Sequence, residues 1–181
     1  MSTMYVNKIQ ELNVGSGITI PSNVRASGHV IQMTESGTFS DSIQTSSGAW
    51  LDTELFVDIA PKFSNSKIVV IGSPVILLAG TGTIMRGSIR VIRTIGAPHN
   101  TSDSSATNVF NTADFVEQFQ VRNASNEHTT IGSIVLTDTP NTTSYVRYRA
   151  QIYYYGDSGT TQFRLWGSAR GSKLIAQEVA V

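Results

Sequence analysis

The sequence predicts an all-β fold: an antiparallel β-sandwich, jelly-roll-like, with a short N-terminal attachment arm. Three observations carry this. Apolar residues alternate at period two through most of the chain, Gly, Pro and Asn clusters interrupt at short intervals, and no long stretch shows a helical repeat.

Residues 1–27 mix polar and apolar side chains, with Gly15, Gly17 and Pro21 as punctuation. Tyr5, Val6, Ile9 and Leu12 suit a turn or two of helix or the anchors of an extended arm, and Ile18-Thr19-Ile20 alternates until Pro21. So short a segment has too few apolar residues for its own core and is expected to be ordered only by a partner.

Strand patterns begin after Gly28 with His29–Met33. Leu51, Thr53, Leu55, Val57 and Ile59 share one strand face, with Asp52, Glu54 and Asp58 opposite. Lys67–Ile71 is β-branched and apolar on both faces, which predicts a central strand. Met85, Gly87, Ile89 and Val91 alternate with Arg86, Ser88, Arg90 and Ile92. Further strands are expected over 115–121 and 129–137. The longest alternation sets Val146, Tyr148, Ala150, Ile152 and Tyr154 against Tyr145, Arg147, Arg149, Gln151 and Tyr153. Phe163–Trp166 and Lys173–Val179 complete the series. Turn signals lie at Gly80-Thr81-Gly82, 123–126, Pro140-Asn141 and 156–159. Residues 97–111 are expected to form a long exposed loop. About eight strands at this spacing indicate a sandwich or jelly roll, so 1–27 is read as an arm and 28–181 as one head domain.

Composition narrows the function. Of 181 residues, 40% are hydrophobic and only 14% charged, the deficit being filled by Ser, Thr, Asn and Gly. Such uncharged polar surfaces suit strands and are cheaper to bury in an assembly than charged ones. Thirteen basic residues balance 13 acidic ones. That argues against a general nucleic-acid binder, which carries a basic excess. The absence of cysteine excludes disulfides and thiolate metal sites. The start of the chain has no basic run followed by an apolar one, so no signal peptide is expected. The most apolar stretch, 68–79, is broken by Gly72, Ser73 and Pro74 and is too short to span a bilayer.

No reactive constellation emerges. His29, His99 and His128 stand far apart, outside any metal-binding spacing. Nucleophile-elbow and phosphate-loop motifs are missing, and Gly80-Thr81-Gly82 reads as a turn rather than a phosphate cradle. Asp103 with Asp114, or Asp52 with Glu54, would pair for glycoside hydrolysis, but carboxylates on the solvent side of a strand are ordinary. Sequons at Asn100, Asn123 and Asn141 matter only in a secretory eukaryotic setting. No enzyme, cofactor or metal is therefore expected. Tyr145, Arg147, Arg149 and Tyr153 on one strand face are residue types enriched at interfaces and form the candidate oligomer interface. The same side chains also suit a solvent-facing sheet surface.

Several phrases resemble one family. Ala26-Ser27-Gly28-His29-Val30-Ile31-Gln32-Met33 is similar to a PGHVIQ opening. Ser47–Leu55, Val57-Asp58-Ile59-Ala60-Pro61-Lys62 and Asn65–Val70 resemble the core of small fibre-like and decoration-like proteins of tailed phages, marine ones especially. Asp138–Ser144 and Lys173–Val179 fit the same pattern, so the likeness spans residues 26–181. Glu54 and Gln177 depart from it, where Gly and Met are common. These phrases mark strands and turns, and no site residue carries over.

The resemblance implies a β-sandwich head, often trimeric, joined to the virion by its N-terminal segment. The expected role is a non-enzymatic structural protein on the capsid surface, a head fibre or cement-like knob, made in the host cytoplasm. Its partners would be itself, as a homotrimer, and other virion proteins of capsid or tail, with no nucleic acid and no membrane. Virion attachment would fall to Tyr5, Val6, Ile9, Leu12, Ile18 and Ile20. The alternatives are a tail-associated receptor-binding tip that touches a host glycan or protein, and a free carbohydrate-binding module.

Overall fold

The computed structural model describes residues 27–44, 49–80, 84–96, 106–110, 119–122, 127–156 and 161–181. Within them the strands are β1 (Val30–Glu35), β2 (Ser42–Gln44), β3 (Trp50–Ile59), β4 (Lys67–Ser73), β5 (Val75–Gly80), β6 (Ile84–Ile95) and β7 (Thr107–Phe110). They continue with β8 (Phe119–Arg122), β9 (His128–Ile131), β10 (Ile134–Asp138), β11 (Val146–Gly156), β12 (Thr161–Leu165) and β13 (Lys173–Val179). A 3-10 turn covers Ser168–Arg170. The all-β, antiparallel expectation holds.

Pairing gives the orders β1-β13-β4-β10, β2-β12-β5-β9, and β3-β11-β6-β7 with β8 also on β6. The first two are halves of one creased sheet. β1 leads into β2, β4 into β5, β9 into β10 and β12 into β13, and each half pairs with the matching half of its neighbour. Joining these halves, and joining β7 to β8 along β6, leaves eight strands. The first pairs with the eighth, the second with the seventh, the third with the sixth and the fourth with the fifth. That nested pairing is a jelly roll.

The crease has a chemical cause. Pro74 separates β4 from β5 and has no N–H to give the ladder. Its carbonyl accepts from Gly132 N at 2.7 Å, where β9 breaks into β10. Ser172 Oγ accepts from Val75 N at 2.9 Å, and Asp41 Oδ1 from Gly167 N at 2.6 Å. Gly167 is required there, because a Cβ would sit 2.5 Å from the Phe39 carbonyl oxygen. Breaks in four adjacent strands thus fall on one line.

Between the sheets lies one core, built from the inward positions of every long strand: Leu55, Val57 and Ile59 of β3, Ile68 and Val70 of β4, Ile89 and Val91 of β6, Tyr148 and Ile152 of β11, Phe163 of β12 and Leu174 of β13 among them. Gly87 in β6 leaves room for the Phe163 ring, which a Cβ would meet at 2.2 Å. The core is sealed at one end by two inward carboxylates that flank Ile68 on adjacent strands. Asp138 takes Arg93 Nη1 at 2.8 and 2.9 Å and the Tyr148 hydroxyl at 2.8 Å, which ties the two sheets together. Glu178, with no exposed surface, accepts the backbone N–H groups of Lys62 and Phe63 and the Gln32 amide.

Several expectations need correction. Residues 107–110 form β7 rather than loop, because their backbone finds partners along β6. The 129–137 run is two strands, broken at Gly132-Ser133 by the crease. β2 and β5 carried no separate strand expectation. Leu51 shares the face of its core partner Ile152 but is 38% exposed, since it lies at the end of an edge strand. Lys67–Ile71 is an interior strand, as expected. Residues 115–118, the 81–82 and 123–126 turns and the loop segment 97–105 lie outside the described residues.

Gly167→Ala should destabilise the protein by about 1–3 kcal/mol, as forced overpacking does, read from urea unfolding. Burial first, then the Asp138 charge, raises the Tyr148 pKa far above the ordinary tyrosine value. A raised folded-state pKa gives stability that is complete below the unfolded value, about pH 10, and lost as pH rises beyond it. Stability should therefore fall from pH 9 to pH 11, and less steeply in Tyr148→Phe, in parallel urea melts.

Candidate assembly surfaces

β11 runs between β3 and β6 and turns Arg147, Arg149, Gln151 and Tyr153 away from the core. On this outer face charge meets charge within the chain. Arg147 grips Asp58 with its fork, Nε to Oδ1 at 2.7 Å and Nη2 to Oδ2 at 2.8 Å, and its guanidinium carbon lies 3.8 Å from the Phe56 ring centre. Arg149 Nη1 is 3.4 Å from Asp52 Oδ2. Gln151 donates to Asp52 and accepts from Arg90 Nε at 2.6 Å. Arg90 lies 4.3 Å over Trp50, whose ring centre is 5.3 Å from that of Tyr153.

The four residues expected to form an oligomer interface are thus brought together, Tyr145 just ahead of β11 and the rest on one strand face. Arg147 and Arg149 are only 7% and 8% exposed and are committed to aspartates of β3. The bond to Asp58 is the main cause that raises the Arg147 pKa and keeps it charged. Tyr145 is pushed up by burial and then by Asp58. The expected attachment residues, Tyr5, Val6, Ile9, Leu12, Ile18 and Ile20, lie outside the described residues.

The Asp52 and Glu54 pair is also accounted for. They line an open cleft of about 330 Å³ with Phe39, Phe56, Arg147 and Arg149. Asp52 is bound as above, and Glu54 accepts the Ser40 N–H at 2.9 Å. A second cleft of about 320 Å³ opens beside Pro74, Phe110, Phe119, Ile131 and Ser133. Among the described residues no group of His, Asp and Glu has metal-binding geometry, and no helix is long and apolar enough to cross a membrane.

The opposite outer face, on β1-β13-β4-β10, has a different character. Val135, Ile71 and Ile175 are direct cross-strand partners in one row. Beside them run Val69, Gln177 and Met33, then Val179 and Val30. Met33 is 61% and Val135 63% exposed. Charge sits toward its margins, in Lys67 and the exposed Lys173–Glu35 pair at 3.5 Å. Sequence reasoning did not single out this face. Its signal is the run apolar on both faces at 67–71, which predicts a central strand; the strand is interior to its sheet, and its second face is exposed at Ile71.

Arg147→Gln removes the fork from Asp58 and the cation from Phe56. It should cost about 1–3 kcal/mol in urea unfolding, and Arg149→Gln less, because its bond is longer and Asp52 keeps Gln151. Compared with known proteins, the chain matches no family model and no curated sequence.

Proposed function

We propose that this chain is a non-enzymatic structural protein of a tailed-phage virion, a head fibre or cement-like knob on the capsid surface. Residues 1–27 would anchor it, and the jelly-roll head would project as a trimer. The reading rests on the family-like phrases over residues 26–181 and on one structural observation, the apolar outer face of β1-β13-β4-β10. A patch on which Val30, Met33, Ile71 and Val135 are exposed and Val69, Ile175 and Val179 half-buried between them suits contact with another protein. Its apolar centre and charged margin have the layout of an interface core and rim. The other outer face has spent its arginines internally and offers less to a partner.

The head face and the arm have separable roles in this reading, joining copies and reaching the particle. Ile71→Glu with Val135→Glu should turn the oligomer into a monomer in sedimentation at micromolar concentration. Removal of residues 1–27 should leave a folded head that no longer joins particles lacking the wild-type chain. If truncated heads are incorporated as well as full-length protein, the arm is not the anchor. If the double variant sediments like wild type, the apolar face is not where copies meet.

A further inference from the structure

The apolar outer face of β1-β13-β4-β10 lies beside the point where the N-terminal arm joins the head. Gly28 N donates to the Ala180 carbonyl and Ala180 N to that of His29, each at 2.9 Å, so the chain enters β1 pinned to the end of β13. Val30 and Val179, the first pair of these two strands, already belong to the apolar face. Upstream, the sequence carries a matching pattern. Leu12, Val14, Ile18 and Ile20 fall on one side of a period-two repeat, with Asn13, Gly15, Gly17 and Thr19 on the other. No charged residue occurs from Leu12 to Val24. An extended segment with one apolar side has only that side to bury, and it needs an apolar surface to lie on.

We propose that, before the arm reaches the particle, residues 12–20 cover this face of their own head and compete with a second copy for it. The inference rests on the assembly reading, in which the same face joins copies and the arm joins the particle. Reach is ample: residues 21–29, fully extended, span roughly 30 Å, while the four-stranded sheet is about 14 Å across. A short tether holds the arm at an effective concentration on the order of millimolar. A second copy is present at micromolar concentration, so in dilute protein the arm wins the face. Leu, Ile and Val of the arm then bury against Val, Ile and Met of the sheet, and no charge has to be desolvated in 12–20. When copies associate, they displace the arms and free the same apolar side chains for the particle. Assembled heads thus present their arms, and single heads keep them covered.

The test is limited digestion of the full-length protein with thermolysin, which cuts before large apolar residues, with cuts inside 12–20 read by mass from nanomolar to tens of micromolar protein. Proteolysis follows the population of the uncovered arm, so dilute wild type should be cut about tenfold more slowly than Ile71→Glu with Val135→Glu. That variant should be cut rapidly at every concentration, and wild type should approach it as copies associate. Both substituted side chains are exposed, and circular dichroism checks that the head stays folded. A second variant, Ile18→Ser with Ile20→Ser, leaves the head sequence untouched. It should strengthen self-association about tenfold in sedimentation, because a face covered about nine-tenths of the time is open to a partner only for the remainder. If dilute wild type and the face variant are cut alike, the inference falls and the assembly reading stands. Protection that grows with concentration puts the arm on a second copy and overturns the inference as well. If instead the face variant sediments like wild type, it is the assembly reading that fails.

Discussion

The missing N–H of Pro74 is the constraint from which much of this architecture follows. A proline in an interior strand must break the ladder, and every neighbouring strand must then break or find other partners at the same height. Here they do both. Gly132 donates to the Pro74 carbonyl, Ser172 receives the Val75 N–H, and Asp41 receives that of Gly167. The result is a sheet folded along a line, so that its two halves curve over one five-stranded partner. Without that crease, strands as long as β4 plus β5 would leave one half splayed from the core.

Burial of charge follows a consistent rule in the same molecule. Inward carboxylates occur where the core ends, and each is fully engaged. Asp138 holds a guanidinium and a phenol from the opposite sheet, while Glu178 holds two backbone amides and a side-chain amide. A buried carboxylate without such donors would cost several kcal/mol, on the order estimated for unpaired buried ions. These contacts therefore act as clasps: one joins sheet to sheet, the other pins the turn after β3 to the last strand.

The two outer faces differ in chemistry. The face of β3, β11 and β6 is laced by arginine–aspartate pairs and rings that satisfy one another within the chain. The face of β1, β13, β4 and β10 is left apolar. A chain with balanced charge has little long-range repulsion to keep copies apart. An apolar face on such a chain is therefore consistent with the proposed assembly role, and the paired arginines restrict the surface that could serve it. The jelly-roll fold itself hosts many functions.

Local pattern was enough to read the class of fold. Alternation at 146–155 and 173–179 specifies strands with one core face, because the side-chain period of a strand is two whatever it packs against. The interior position of 67–71 agrees with its apolar residues on both faces, but the edge strand β10 is apolar on both faces too, and the second face of each is exposed at Ile71 and Val135. Tertiary structure alone decided the rest. That 129–137 breaks in two depends on Pro74 of another strand, and that 107–110 is a strand depends on an open side of β6. Arg147 and Arg149 looked equally suited to a partner or to solvent. The register of β11 against β3 set them beside Asp58 and near Asp52, and so turned candidate contact residues into internal ties. Cross-strand register joins residues 89 positions apart in sequence, and no local alternation encodes it.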